Sequence, residues 1–402
     1  MPSYRGNIWR LFVAQALFMF LLWVPIWVIF LQQKGLSLTQ IGLLEAFAWL
    51  TTAALEVPTG AIADRWGRKT SIALGSSLYA LAMFLILTDA LSPAFLLGYA
   101  LWNSSFAFMS GADAALLYDT LKANGRESEA AKQSGRSLAI QQASQGIAAL
   151  IGAALATIDI TLCFTICGVG GLIASALVLT IKEPPRQDEG VDTLGYWKNL
   201  RIAIGIAARR PVVRALVLVS AAFSVVPLIV YYFLLQPYAL DVGLPIAALG
   251  VVVVSVQATT VVASWLAHRA SRFELTTVVS AAVALVVLAT AMLGAFPSIP
   301  SIALMLIVAL APALVGPLLT TRLNDLIPSA QRATVLSMSA LLSELGTAAA
   351  VPLLLWLADV IGPAEAIGLS AILFAALVVP LLIVWRGAGP GPTASRGVLP
   401  AG

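Results

Sequence analysis

The chain has 402 residues, of which 60% are hydrophobic and 10% charged, and its mean hydropathy is +0.95. A soluble globular domain carries about a quarter charged residues, so the composition excludes one. The formal net charge of +4 arises from 23 basic and 19 acidic residues, and its meaning depends on where the basic residues fall.

Apolar runs bounded by charge, Pro or Gly recur along the whole chain. Each is about 20 residues long, the length a helix needs to cross the hydrocarbon. None shows the period-two alternation of a barrel strand. Backbone groups in lipid must pair internally, so the expected fold is an all-α polytopic membrane protein. Twelve transmembrane helices are predicted, centred near Phe20, Thr52, Leu81, Ser104, Ile147, Leu172, Pro227, Val256, Leu285, Val308, Leu345 and Ala375. The first run is too long for a cleaved signal peptide, and no small-residue cleavage site follows it. It reads as a retained helix.

Threading twelve spans from a cytoplasmic N-terminus sorts the charges. All of the 23 lysines and arginines except Lys34 then lie inside, while Asp89, Asp159, Asp241, Asp359 and Glu365 lie outside. That is the positive-inside pattern. Both termini are predicted cytoplasmic, and the basic excess belongs to the inner membrane face rather than to nucleic acid. Cys163 and Cys167 share one face of the sixth span. They read as buried packing residues, and no metal or other cofactor is implied.

Between the second and third runs, Asp64, Arg65, Arg68 and Lys69 place four charges in six residues, flanked by Gly60 and Gly67. Charges so crowded cannot sit in lipid, so this stretch is predicted to be a tight turn at a membrane face. The spacing G-x-x-x-D-R-x-G-R-K resembles the signature loop of the major facilitator superfamily. A weak repeat accompanies it. Ala61–Lys69 matches Trp265–Phe273, and Phe30-Leu31-Gln32 matches Leu234-Leu235-Gln236, both 204 positions apart. In the second copy His268 replaces the acid and Ser271 the glycine.

The resemblance implies two pseudo-symmetric six-helix halves. On this sequence they are residues 1–182 and 213–386, joined by a cytoplasmic linker at 183–212, with a disordered tail at 387–402. Leu194, Trp197, Arg201, Ile204 and Ala208 follow helical spacing in the linker, as either an interfacial helix or a solvated one. The resemblance also implies a latch: Asp64 and Arg65, at the inner end of the second helix, would hold an inner gate shut. The alternative is that Arg65, Arg68 and Lys69 are topology charges alone.

Four acids fall within spans: Glu45, Glu56, Asp113 and Glu344. An ionised acid at a helix centre costs at least about 2.5–3.5 kcal/mol, so acids without basic partners are candidates for carrying protons or binding cations. Glu344 lies 12 residues beyond Arg332, about 18 Å along a helix, and ranks first. Glu56 and Asp113 follow, with structural roles equally open. Glu45, within two turns of its helix end, is expected to be solvated or to cap.

In the family the cavity is lined mainly by the first, fourth, seventh and tenth helices. Matching candidates are Gln15, Trp23, Trp27, Asn103, Tyr231, Tyr232 and Gln236, with Gln141, Gln145 and Gln257 from neighbouring helices. Aromatics and amides with no membrane-buried Lys or Arg suit a neutral or cationic solute, not an anion. The expected function is therefore secondary transport by alternating access, as proton-coupled efflux of amphiphilic organic compounds by a monomer in a bacterial inner membrane. The alternatives are proton-coupled uptake of a small metabolite and a non-transporting receptor. An enzyme is not expected, since no Ser/His or metal-ligand cluster falls within the membrane.

Overall fold

A computed structural model of the chain describes residues 4–185, 201, 205, 209–327 and 331–387, without the side chains of residues 5, 53, 56–65 and 333. The linker helix expected over residues 194–208 and the tail expected at 387–402 lie almost wholly outside the described residues. The first half of the chain forms α1 (Arg5–Phe18), α2 (Trp27–Gln33), α3 (Leu38–Trp66), α4 (Arg68–Leu85), α5 (Pro93–Met109), α6 (Ala112–Ala123), α7 (Ala130–Leu155) and α8 (Ile160–Leu179). The second forms α9 (Pro211–Ile229), α10 (Leu235–Asp241), α11 (Ile246–Ala270), α12 (Leu275–Ala295), α13 (Met305–Leu326), α14 (Arg332–Ile361) and α15 (Pro363–Gly387). No strand occurs among the described residues. Eight helices there are long and apolar enough to cross a membrane.

Eleven of the twelve expected span centres lie within helices; Phe20 does not. The first span is broken between α1 and α2, and Pro25 is the cause. Proline has no N–H to donate and its ring clashes with the carbonyl four residues back, here that of Leu21. The chain leaves α1 at Met19 and resumes through a short 3-10 turn at Val24–Ile26. Pro227 acts similarly in the seventh run, where α9 passes into a wide π segment, Val230–Leu234, before α10. The fourth run breaks at Ser110-Gly111, with Gly111 at φ 75°.

Two compact units emerge, Met1–Asp192 with Gln236–Ser255, and Thr193–Leu235 with Val256–Gly402, each taken by its described residues. Within the first, α4 packs on α5 and α8, while α1 packs on α7 and α8. Within the second, α12 packs on α13 and α15, while α9 packs on α14 and α15. The same pairings thus recur at equivalent places in both repeats.

The freed backbone of the first span is satisfied by side chains, as the absence of water in lipid demands. Ser144 Oγ donates to the Ala16 carbonyl at 2.5 Å, and Cys167 Sγ to the Phe20 carbonyl at 3.2 Å. Gln236 uses both ends of its amide. Its Oε1 accepts from the Val28 N–H at 2.8 Å and its Nε2 donates to the Val24 carbonyl at 3.1 Å. Gly152 lets α7 approach the unwound stretch, since a Cβ there would lie 2.0 Å from the Leu22 carbonyl oxygen.

Candidate functional site

The signature turn begins α4. Gly67 adopts φ 105° and ψ 148°, a conformation that strains any residue with a Cβ. Directly after it, the Glu183 carboxylate accepts from the backbone N–H groups of Arg68 at 2.9 Å and Lys69 at 3.2 Å. An acid in this position satisfies orphan donors and complements the positive helix end. Arg68 forms an ion pair with Asp119 on α6 and donates to the Ala115 carbonyl at 2.9 Å. Lys69 Nζ reaches the Leu179 carbonyl at 3.1 Å, and Asn7 bonds the Lys182 backbone through both its amide atoms. The turn is therefore tied to α1, α6 and the end of α8. Asp119 and Glu183 are partners of the turn that the sequence reading missed. Glu183 stands in a breaker-rich stretch that disguised it, and the partner of Asp119 is 51 positions away in the sequence. The side chains of Gly60, Asp64, Arg65 and Glu56 lie outside the described residues.

A second cluster joins three candidates in the first unit. Gln15 on α1 is 2% exposed. Its Nε2 donates to Asp113 Oδ2 at 2.8 Å, and its Oε1 accepts from Ser137 Oγ at 2.7 Å. Gln141 Nε2 in turn donates to Ser137 at 3.1 Å. Asp113 owes its position to the break at Gly111: it falls in the first turn of α6, where the helix end favours a carboxylate. All its partners in this chain of bonds are neutral.

The third cluster surrounds Glu45. Contrary to the expectation of a solvated residue, Glu45 is 4% exposed. Its Oε1 accepts from the Trp27 indole at 2.7 Å and from the Tyr99 hydroxyl at 2.6 Å. The reason is the break at Pro25, which sets α2 on its own course and turns Trp27 inward. Trp23, Trp27, Tyr99 and Trp102 pack with ring centroids 4.7–5.6 Å apart. Trp23 donates to the Tyr79 hydroxyl at 3.0 Å. The Trp102 indole N–H is buried without an acceptor, an arrangement that costs about 1–3 kcal/mol. Asn103 donates to the Tyr99 carbonyl at 3.0 Å.

Above this cluster Lys34 extends its ammonium over the Phe30 and Phe95 rings and donates to the Leu87 and Thr88 carbonyls. Burial holds its pKa below the ordinary lysine value, with Asp89 opposing the shift.

In the second unit Tyr231 and Tyr232 stand edge to face at 4.7 Å on the π segment. Gln257 on α11 and Glu344 on α14 are half-buried, as is Gln145 in the first unit. Gln236, a cavity candidate, is instead 3% exposed and clamps backbone. Cys163 and Cys167 are buried and free. Among the described residues, no group of three or more His, Cys, Asp or Glu is placed to hold a metal.

Comparison with known proteins places the chain. A stretch of 93 residues is 38% identical to the uncharacterised MFS-type transporter YxaM of Bacillus subtilis (strain 168), and spans 22% of each chain. Among solved structures, a mutant form of the nucleoside transporter NupG superposes with a TM-score of 0.76 at 13% identity, over 95% of this chain and 100% of the other. A bacterial homologue of the human lysosomal transporter Spinster, inward-facing and unoccupied, gives 0.75 at 18% identity, covering 96% and 97%. A D-xylose–proton symporter gives 0.69 at 14%, covering 96% and 98%. At such identities these likenesses concern the fold. The sequence profile of the Major Facilitator Superfamily, by contrast, matches residues 11–351, and the chain belongs to that family.

Proposed function

We propose that this protein is a secondary transporter that exports neutral or cationic amphiphilic organic compounds by alternating access, driven by protons. The observation that carries the reading is the bond chain Gln141–Ser137–Gln15–Asp113, in which an acid inside a helical bundle is met by neutral groups. Such an acid is not committed to an ion pair in this chain of bonds. The family membership supports transport, and the scarcity of basic residues in the apolar runs favours uncharged or cationic cargo. Glu344, half-buried in α14, is the leading coupling acid, with Asp113 and Glu56 beside it. Trp23, Trp27, Asn103, Tyr231, Tyr232 and the glutamines at 15, 141, 145 and 257 are the cavity set.

Asp64 and Arg65 act as an inner latch, while Gly67, Arg68 and Lys69 shape and anchor the turn. The chain divides at residues 182 and 213 into two six-helix halves with twelve spans and cytoplasmic termini. It works as a monomer in a bacterial inner membrane.

The decisive test is flux of a lipophilic cationic dye in proteoliposomes under an imposed pH gradient. Gradient-driven flux that is abolished by Glu344→Gln supports the reading. Flux indifferent to the gradient, or unaltered in that variant, overturns the coupling. Accumulation rather than depletion in cells carrying the protein would reverse the direction and favour uptake of a small metabolite.

A further inference from the structure

Glu45 is the acid that the transport reading leaves unused, and its surroundings are built rather than incidental. It ties three elements of the first unit together: its own helix α3, the outer half-helix α2 through Trp27, and α5 through Tyr99. The described ion pairs are Arg68–Asp119 and Arg126–Glu129, and neither reaches it. From α2 it meets Trp27, with Lys34 beyond the end of that helix committed to the Leu87 and Thr88 carbonyls. From α5 it meets Tyr99 and, through the ring stack, Trp102. The stack leads on to Phe164 of α8, close in sequence to Cys163 and Cys167, and through Trp23 to Tyr79 of α4. No cation faces the carboxyl from any of these packed elements among the described residues.

Two features point to a ligand. Glu45 is 4% exposed, and the hydrogen bonds its carboxylate accepts come from two neutral donors, Trp27 and Tyr99. The rings around it stand at van der Waals separation, so the ligand accepted without moving a ring is the smallest one.

We propose that the Glu45 carboxyl is a proton-binding site of the first unit, and that its charge state sets the grip on the half-helix α2. Glu45 lies seven residues from the start of α3, roughly 10 Å along the helix from the turn that carries Lys34. Its proton exchanges with the aqueous phase on that side. In the ionised state Oε1 receives two charge-assisted bonds, which are shorter and stronger than neutral ones. When a proton from water adds to a carboxylate oxygen, the charge is removed and both bonds weaken. The side-chain grip on Trp27 is then loosened, while the Gln236 clamp keeps the backbone of α2 in place. The exchange moves one proton: an O–H bond of a hydronium ion breaks, the carboxyl O–H bond forms, and a water molecule is left in the aqueous phase. This site rests on the proton-driven reading only for its purpose, not for its existence.

The test is infrared difference spectroscopy of the full chain in lipid nanodiscs, recorded across a pH titration. A carbonyl stretch of a protonated carboxyl group should appear as the pH falls and should vanish in Glu45→Gln. In Tyr99→Phe the band should move to higher frequency, because a hydrogen-bond donor to that carboxyl has been removed. The same pH step should change tryptophan emission in the parent and not in Trp27→Phe. A band that survives Glu45→Gln overturns the proposal. So does a band unmoved in Tyr99→Phe, which remains decisive if the glutamine variant does not fold. If dye flux ignores the pH gradient while the Glu45 band behaves as expected, the transport reading fails and this site stands. If flux follows the gradient and no Glu45 band appears, this site fails and the transport reading stands.

Discussion

Replacing Gln236 by Leu removes the clamp on the broken first span and keeps roughly the same volume. Two backbone groups lose their partners: the Val28 N–H, on a residue 0% exposed, and the Val24 carbonyl, on one 5% exposed. Each orphaned buried group costs about 1–3 kcal/mol, so the variant should lose roughly 2–6 kcal/mol of stability. Peptide-resolved hydrogen exchange over residues 24–33 reads the effect locally. If the opening of α2 becomes easier by even about 1.4 kcal/mol, exchange at Val28 rises tenfold. Exchange over α12, in the other unit, should stay unchanged. Gln236→Glu keeps an acceptor for Val28 and loses the donor to Val24, so it should fall between parent and Leu. Unchanged exchange at Val28 in Gln236→Leu would refute the clamp, whatever the global stability did.

Gly67→Ala imposes a Cβ on a residue at φ 105° and should lower stability by about 1–2 kcal/mol, read as a lower midpoint in thermal unfolding. Glu183→Gln removes the carboxylate from the start of α4; a loss of about 0.3–1 kcal/mol is expected at this exposed site, and it should shrink in high salt. Asp159 caps α8 by accepting from the Thr161 N–H at 2.8 Å and its hydroxyl at 2.7 Å, which holds its pKa below the ordinary 3.8. A depressed folded-state pKa means that this stabilisation is present above the ordinary value and is lost as the pH falls through the folded one. Asp159→Ala should therefore unfold earlier than the parent at neutral pH, and the two should converge in strong acid.

Much of the helical architecture was legible because lipid leaves few choices. Continuous apolar runs of spanning length cannot be strands, and the charges between them mark the turns. The breaks at Pro25, Pro227 and Ser110-Gly111 were not read, because each falls inside a run that hydropathy alone counts as one helix. Glu45 shows why the rest was not. Its depth from the helix end suggested water, yet its burial depends on Trp27, 18 positions before it, and on Tyr99, 54 positions after it. Nothing in the local pattern around residue 45 announces either partner. Glu183 and Asp119 were hidden in the same way, since their partners are the backbone and side chain of a residue 115 and 51 positions away.

The polar groups inside the first unit fall into two kinds with different freedoms. Gln236, Cys167 and Ser144 bond backbone atoms of the broken first span. If any of them lets go, a backbone group is left bare in a place without water, so they hold the break open and are expected to stay put. Glu45, Gln15 and Ser137 bond side chains across helices, and Gln141 joins Ser137 within α7. These can exchange partners, or trade a bond for a proton, while every helical backbone bond remains intact. Asp113 joins the second kind through Gln15 and is steadied by the helix end beneath it. A change of state in this bundle therefore has an easy route through the carboxyls and a costly one through the clamps. The two acids of the easy route lie beside the breaks at Pro25 and Gly111, where a helix has already been divided into parts.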